Sequence, residues 1–185
     1  MPRVVTYVAR HRQDLRVTQR QDVVGAATPD VLAIEAGATR GRPLRFYNVY
    51  NAPPGSVRSG EGVRTLTGQQ LDGSSFLTLV GGDFNAHHET WSTGLKGIRS
   101  TASGRRLASW IQAGIWRLGL ECGTVTRRGT RGQRDPAIDL VMLSPVAQGW
   151  AIEAEARPDL AMGSDHLPVI PVLTPPLNQD FLNIY

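Results

Sequence analysis

The sequence predicts a single α/β domain in which strands alternate with helices and long loops. Three observations support this prediction. The chain of 185 residues, 41% of them hydrophobic and 19% charged, can bury one sizeable core but is short for two. Short apolar or alternating segments recur along it, and one longer segment has a helical period. We assign residues 1–174 to the domain and residues 175–185 to a C-terminal tail.

Six segments carry strand signals, because they are short, alternating or rich in β-branched residues, and are bounded by turn residues. These predicted strands are Arg3–Ala9, Val31–Ala36, Leu44–Tyr50, Phe76–Gly82, Ala137–Leu143 and Leu167–Leu173.

One segment has the apolar period of an amphipathic helix. It extends from Ser103 to Gly119, which are residues suited to cap the start and to end a helix. The apolar residues that share one face of it are Leu107, Trp110, Ile111, Ile115 and Leu118. A second, weaker pattern predicts a helix between Glu61 and Leu71.

The charge of the chain favours a polyanionic partner. Its net charge is +4, and all but one of its 20 basic residues are arginine, the exception being Lys96. The planar guanidinium group matches phosphate oxygens, so this surface suits nucleic acid; the alternative is that arginine reflects the base composition of the gene. The densest basic loop is read either as a phosphate contact or as a solvated loop, and its arginines are Arg127, Arg128, Arg131 and Arg134.

Membrane and secreted classes are not expected. No apolar run approaches the ~20 residues of a membrane span, and the first residues do not resemble a secretory signal. Cys122 is the only cysteine, so no internal disulfide can form. We therefore expect an intracellular, reducing location.

Polar residues interrupt the predicted strands where their side chains can converge at one sheet edge. Asp83 and Asn85 follow an apolar run and, being two residues apart, point to the same side of an extended backbone. Asp139 lies inside an apolar strand, where an unpaired carboxylate would cost several kcal/mol, so it requires a hydrogen-bond donor. Asp165 and His166 stand at the start of another apolar strand and can supply one.

Together these motifs resemble those of the endonuclease/exonuclease/phosphatase superfamily. The matching stretches are "NVYNAPP" (48–54), "GGDFNAHH" (81–88), "AIDLVMLS" (137–144) and "GSDHLPV" (163–169). The stretches "GDFNAHHETW" and "RDPAIDLVMLS" are most similar to endonuclease domains that accompany the reverse transcriptases of non-LTR retrotransposons. The resemblance implies two packed mixed sheets flanked by helices, and an enzyme that nicks DNA, in the nucleus.

The resemblance also implies roles for individual residues. Asp83 would act as the base or water-orienting carboxylate, and Asn85 would hold the nucleophile and a phosphate oxygen. His166 would bind the phosphate and stabilise transition-state charge, while Asp139 would fix its tautomer. Tyr50, at the end of its strand, would reach the phosphate.

A divalent metal is implied as cofactor, with Asp165 as its ligand. Hard oxygen ligands favour Mg²⁺, and Mn²⁺ should substitute for it. The adjacent His87 and His88 could suggest zinc, but no cysteine or third histidine stands nearby at ligand spacing. Packing or loop stabilisation is the favoured interpretation of this pair, and Trp91 is read likewise as a core or loop anchor.

The sequence departs from the superfamily pattern at its start. Members normally begin with a strand that ends in an asparagine, and about one strand and helix later another strand ends in the glutamate that binds the metal. This chain is expected to be N-terminally shortened, so that it starts after both. The only glutamate before Tyr50 is Glu35, in an ordinary strand position.

Nuclease activity could therefore be weak, and the alternative is a non-catalytic relic that binds DNA without cleavage. A phosphatase acting on a small ester is a third interpretation. Missing strands would expose sheet edges, so a homodimer is also expected.

Overall fold

A computed structural model describes residues 3–8, 15–24, 28–37, 43–69, 71, 76–92, 99–129, 134–147 and 149–176. The main sheet contains six strands in the spatial order β1-β2-β3-β4-β6-β5. These strands are β1 (Arg16–Gln19), β2 (Val31–Gly37), β3 (Leu44–Tyr50), β4 (Leu77–Asp83), β5 (Arg117–Leu118) and β6 (Asp139–Leu143).

The sheet is mixed, and its pairing brings the polar strand ends together. Strands β3 and β4 are parallel, while the other neighbours in the sheet are antiparallel. The parallel register places Tyr50 beside Asp83, and the antiparallel register places Asp83 beside Asp139. The end of β3, the end of β4 and the start of β6 therefore lie side by side at one edge.

A second, smaller sheet packs on one face of the main sheet. It consists of the antiparallel strands β7 (Ala151–Ala156) and β8 (Val169–Thr174). The apolar layer between the sheets includes Leu79, Val141, Leu143, Trp150 and Ile152. The predicted α/β fold with two packed sheets is confirmed, and the described part of the second sheet is a simple antiparallel pair rather than a mixed sheet.

Helices cover the opposite face of the main sheet. They are α1 (Glu61–Thr67), the single-turn α2 (Glu89–Ser92) and α3 (Ala102–Ala113). Val63, Leu66 and Leu107 of these helices are buried against Tyr47 and Val80 of the sheet. Each such side chain contributes about 1.5–3 kcal/mol by leaving water, so this layer holds the helices in place. None of the described helices is long and apolar enough to cross a membrane.

The predicted first strand is wrong over Arg3–Val8. This segment has no strand pairing; the Arg3 N–H donates to the Pro29 carbonyl, and the Asn48 side chain donates to the Val5 carbonyl at 3.0 Å. Three of its apolar side chains, Val5, Tyr7 and Val8, are exposed to solvent, with Tyr7 91% exposed. Strand β1 pairs with β2 instead, and Ala9 lies outside the described residues.

Helix α3 is shorter than predicted at its C-terminal end. Thr101, rather than Ser103, is its N-cap and accepts the Gly104 N–H. After Ala113 the Ile115 backbone enters the left-handed region with φ of 52°, and the Trp116 N–H donates to the Ile111 carbonyl. This bond pattern ends the helix at Ala113, and the chain then enters β5, which ends one residue before Gly119.

Other boundaries shift by a few residues, as is usual at element ends. Helix α1 ends at Thr67 rather than Leu71, β6 begins at Asp139 rather than Ala137, and β8 begins at Val169 rather than Leu167. Strand β8 ends at Thr174, and residues 177–185 of the assigned tail lie outside the described residues. The domain boundary stays a prediction.

Candidate active site

Three side chains converge at the edge where β4 ends and β6 begins. Asp83 is the last residue of β4, Asp139 is the first of β6, and His166 precedes β8. One ligand atom from each lies within 4.8 Å of the others. All three line a cleft of about 390 Å³ between the two sheets. The remainder of that cleft is largely apolar, with walls from Phe46, Leu140, Val141, Leu167, Pro168 and Val169.

Asp139 and His166 form a hydrogen-bonded pair. The Nδ1 atom of His166 lies 3.1 Å from Oδ1 and 3.0 Å from Oδ2 of Asp139. The buried Thr126 hydroxyl accepts the Asp139 N–H at 2.9 Å, which fixes the strand start. Because a carboxylate only accepts, Nδ1 must carry the proton, and Nε2 is left to contact a substrate.

The Asp83 carboxylate orients Asn85. Its Oδ1 accepts the Asn85 N–H at 2.9 Å, and its Oδ2 accepts the Asn85 Nδ2 at 2.9 Å. The same Nδ2 donates to the Asn51 carbonyl at 3.0 Å. Both amide hydrogens of Asn85 are thereby used, so its remaining polar atom is the Oδ1 acceptor. Asn85 is thus suited to bind a water or a cation, and less suited to donate to a phosphate oxygen.

Asn51 is a supporting residue that the sequence analysis did not identify. It is 1% exposed, its Nδ2 donates to the Phe84 carbonyl at 2.8 Å, and its Oδ1 accepts the Val63 N–H at 3.1 Å. It therefore links helix α1 to the loop that carries Asn85. A polar residue directly after an apolar strand was the only available sequence signal.

The pKa values of the Asp83 and Asp139 carboxyl groups are both raised. Burial, and next the neighbouring Asp139 carboxylate, raise the pKa of Asp83 to about 6. Burial also raises the pKa of Asp139, while His166 opposes that rise. Close carboxylates in a partly dry site favour either a shared proton or a bound cation. The donor set, with two carboxylates and a nearby amide oxygen, fits a hard divalent metal ion.

Asp165 lies outside this cluster in the structure. Its Oδ2 accepts the Nε of Arg127 at 2.8 Å, and its carbonyl accepts the Arg128 N–H at 2.7 Å. The hydrogen bond from Arg127 lowers the pKa of the Asp165 carboxyl. Its assignment as the metal ligand stays a prediction, and the geometry favours Asp83 and Asp139 for that role.

The predicted basic loop lies beside His166. Arg127 forms an antiparallel bridge with His166, and the Leu167 N–H donates to the Thr126 carbonyl at 2.7 Å. Arg134 is exposed, and Arg131 lies outside the described residues. Arg127 and Arg128 are thus adjacent to the cluster of Asp83, Asp139 and His166, and Arg127 also donates a hydrogen bond to Asp165.

Tyr50 and Glu35 have different positions relative to the cluster. Tyr50 is beside Asp83 in register, and the Arg3 guanidinium lies 5.1 Å from its ring centroid. Glu35 pairs with two arginines: its Oε2 accepts hydrogen bonds from the guanidinium groups of Arg20 at 2.7 Å and Arg45 at 3.0 Å. Glu35 therefore does not supply a further carboxylate to the site.

The segment with the paired histidines has a structural role. Trp91 is 3% exposed, its Nε1 donates to the Ala86 carbonyl at 3.1 Å, and its ring lies 5.5 Å from that of His88. His87 lies in the same loop, and its backbone N–H donates to the Thr101 hydroxyl at 3.2 Å. Neither histidine belongs to a metal-capable group among the described residues.

A match over most of the sequence shows the family. Residues 44–170 match the profile described as endonuclease-reverse transcriptase. The chain belongs to this family. It is therefore a member of the endonuclease/exonuclease/phosphatase superfamily, as the motifs indicated. No sequence among the curated proteins matches the chain.

Solved structures support the family's fold for this chain. The endonuclease domain of TRAS1, a telomere-specific non-LTR retrotransposon, superposes with a TM-score of 0.67 at 20% identity, covering 90% of this chain and 71% of that domain. The 3'-5' exonuclease NExo from Neisseria meningitidis gives 0.59 at 18% identity, covering 86% and 70%. NExo from Neisseria, described as a 3' phosphatase bound to product DNA hairpin, gives 0.58 at 18%, covering 88% and 71%.

Proposed function

We propose that this chain is a divalent-metal-dependent endonuclease domain that nicks DNA on behalf of a non-LTR retroelement. The observation that carries the proposal is the convergence of Asp83, Asn85, Asp139 and His166 at one sheet edge in a member of this family. The four side chains come from separate parts of the sequence. A purely structural role would not require two partly buried carboxylates at that edge.

DNA is the proposed substrate because of the positive charge of the chain and its similarity to solved structures. The net charge is +4, and Arg127 and Arg128 stand beside His166. One similar structure is of a phosphatase with a DNA hairpin product, and another is of a retrotransposon endonuclease domain. A phosphate held near His166 would therefore lie among cationic groups that favour a polyanion.

In the proposed hydrolysis, four side chains have separate roles. Asp83 accepts a proton from the attacking water, and Asn85 orients that water through its Oδ1. The water oxygen bonds to phosphorus while the bond from phosphorus to the leaving sugar oxygen breaks, and that sugar oxygen takes a proton from solvent water. His166 contacts a phosphate oxygen through Nε2, and Asp139 holds the imidazole in the required tautomer.

Mg²⁺ is the proposed cofactor, and Mn²⁺ should substitute for it. The Asp83 and Asp139 carboxylates would hold the ion, and the Asn85 Oδ1 stays available to the attacking water. When bound, it supplies a Lewis acid that stabilises the negative charge developing on the phosphate.

A second candidate is a DNA-binding domain without cleavage activity. The observation that favours it is the small number of metal ligands, since the one metal-capable group among the described residues has three members and Glu35 is engaged by two arginines. This candidate predicts salt-sensitive DNA binding with no hydrolysis.

A plasmid-nicking assay separates the two candidates. Supercoiled plasmid is incubated with the chain in Mg²⁺, and the open-circular form is quantified for the parent, Asp83→Ala and His166→Ala. We expect nicking by the parent and a loss of about 100-fold or more in each variant. The matched control is Asp22→Asn, because Asp22 is exposed and pairs with Arg20. Nicking that survives both active-site substitutions contradicts the proposed site, and binding without nicking by the parent supports the second candidate.

A further inference from the structure

A second polar hollow lies between helices α1 and α3. It has a volume of about 310 Å³ and is separate from the cleft that contains Asp83. Its lining residues are Ser59, Gly60, Arg64, Ala102, Ser103 and Arg106. Two guanidinium groups and two hydroxyl groups thus surround one space, and none of the lining residues is acidic.

The two arginines have no anionic partner in the part of the chain that the structure describes. Arg64 and Arg106 are both exposed and form no ion pair there. The nearest acidic residue in sequence, Glu61, is paired with Arg58. Two like charges that share a hollow repel each other, and an anion between them would remove that repulsion.

Glycine at position 60 keeps the hollow open. The Gly60 backbone has φ of 78°, and a Cβ there would lie 3.1 Å from the Ser103 Oγ and 3.9 Å from the Arg64 Nη2. The missing methyl group thus leaves a space bounded by a hydroxyl and a guanidinium. Such donors are suited to the oxygens of a phosphate group.

The hollow is tied to the candidate active site through the backbone. A Cβ at Gly62, in α1, would lie 2.2 Å from the Tyr50 carbonyl oxygen, so α1 sits directly on the end of β3. A Cβ at Gly104, in α3, would lie 1.9 Å from the His87 carbonyl oxygen, so α3 sits directly on the loop after Asn85. Both walls of the hollow are therefore packed against segments that carry the site.

We infer that this hollow is a phosphate-binding subsite for the nucleic-acid backbone, occupied by a phosphate other than the one cleaved. Arg64 and Arg106 neutralise that phosphate, and Ser59 and Ser103 donate hydrogen bonds to it. The inference rests on the proposed function, because it takes the substrate to be a nucleic acid that extends past the active site. The subsite adds affinity and register, and contributes nothing to the chemical step.

The test is the salt dependence of DNA binding. Binding of a fluorescein-labelled DNA duplex is followed by anisotropy in EDTA over a series of NaCl concentrations. The parent is compared with the double variant Arg64→Gln/Arg106→Gln. The matched control is Arg16→Gln/Arg117→Gln, which removes the same charge from exposed positions on the edge strands β1 and β5.

We expect the slope of log Kobs against log[NaCl] to become shallower by about 1 in the Arg64/Arg106 variant, as for one lost phosphate contact, and to be unchanged in the control. Ser103→Glu, which places a carboxylate in the hollow, should also weaken binding. In nicking assays the Arg64/Arg106 variant should raise KM with kcat unchanged. Equal slopes for this variant and the parent, or the same change in the control, overturn the subsite.

The outcomes also separate this inference from the proposed function. A parent that nicks DNA while the Arg64/Arg106 variant keeps its slope leaves the endonuclease and removes the subsite. A parent that binds DNA without nicking, with a shallower slope in the variant, keeps the subsite and removes the endonuclease. A parent that shows no salt-dependent binding overturns both.

Discussion

At the scale of single residues, the partial burial of Asp83 links stability to pH. The unfolded chain releases this proton near the ordinary value of 3.8, and the folded chain near a pKa of about 6. Between these values the folded state binds more protons, so the stability supplied by the protonated form is lost as pH rises.

We predict that the metal-free chain loses up to about 3 kcal/mol of unfolding free energy between about pH 4 and pH 6, relative to Asp83→Asn. Urea denaturation in EDTA at several pH values measures both proteins. A difference between them that does not change with pH would show that Asp83 titrates normally.

Asn51 gives a second prediction at this scale. Replacing it by alanine leaves the Phe84 carbonyl and the Val63 N–H without their partner, so Asn51→Ala should lower the unfolding free energy by about 1–3 kcal/mol. It should also reduce nicking, because the loop that carries Asn85 loses its support. The matched control is Asn48→Ala, which removes more exposed bonds to the Val5 carbonyl and the Thr6 hydroxyl and should cost less than about 0.5 kcal/mol. Equal losses in denaturant melts of the two variants would contradict this role.

The sequence identified the reacting groups of the candidate site more readily than their supports. Asp83, Asn85, Asp139 and His166 interrupt apolar segments, and such interruptions are visible in the sequence. Asn51 and Thr126 act on backbone groups distant in sequence, so their partners are defined only by the fold. The pairing of Asp165 with Arg127 likewise depends on how two loops meet.

At the scale of elements, the strands with an apolar pattern were predicted and the polar ones were not. Strands β2, β3, β4, β6 and β8 lie where the sequence indicated. Strand β1 has the sequence RVTQ and is an edge strand, so little burial selects an apolar pattern in it. Strand β7 was not predicted, although its sequence AIEAEA has the alternation that is typical of a half-buried strand.

The early end of α3 supplies a prediction about stability. Ile115 is 72% exposed and holds φ of 52°, a conformation that costs an L-residue about 1–2 kcal/mol. Ile115→Gly should therefore raise the unfolding free energy by about 0.5–1 kcal/mol, after the added freedom of glycine in the unfolded chain is subtracted. Ile115→Ala is the control, since it removes the same exposed side chain and keeps the Cβ. A larger gain from alanine than from glycine in thermal melts would refute the strain argument.

At the scale of the whole molecule, the second sheet has an exposed edge among the described strands. Among the described strands, β8 pairs with β7 alone, and its Ile170 and Val172 are 39% and 56% exposed. An open strand edge with apolar side chains favours association with another strand. The homodimer expected from the sequence would bury this edge.

We predict that the chain self-associates as its concentration rises, and that Val172→Lys weakens the association. Sedimentation velocity over a concentration series measures both. The control is Val57→Lys, on a fully exposed loop position, which should leave the association unchanged. A parent that remains monomeric at all concentrations would exclude the dimer.

We propose above that Asp83, Asp139 and His166 form one metal-assisted hydrolytic centre. A crystal structure of the chain grown with Mn²⁺ tests it most directly, because Mn²⁺ gives an anomalous signal and should replace Mg²⁺. We expect an anomalous peak about 2.0–2.4 Å from the carboxylate oxygens of Asp83 and Asp139. A peak on Asp165 with none at Asp83, or no peak at this sheet edge, would contradict it.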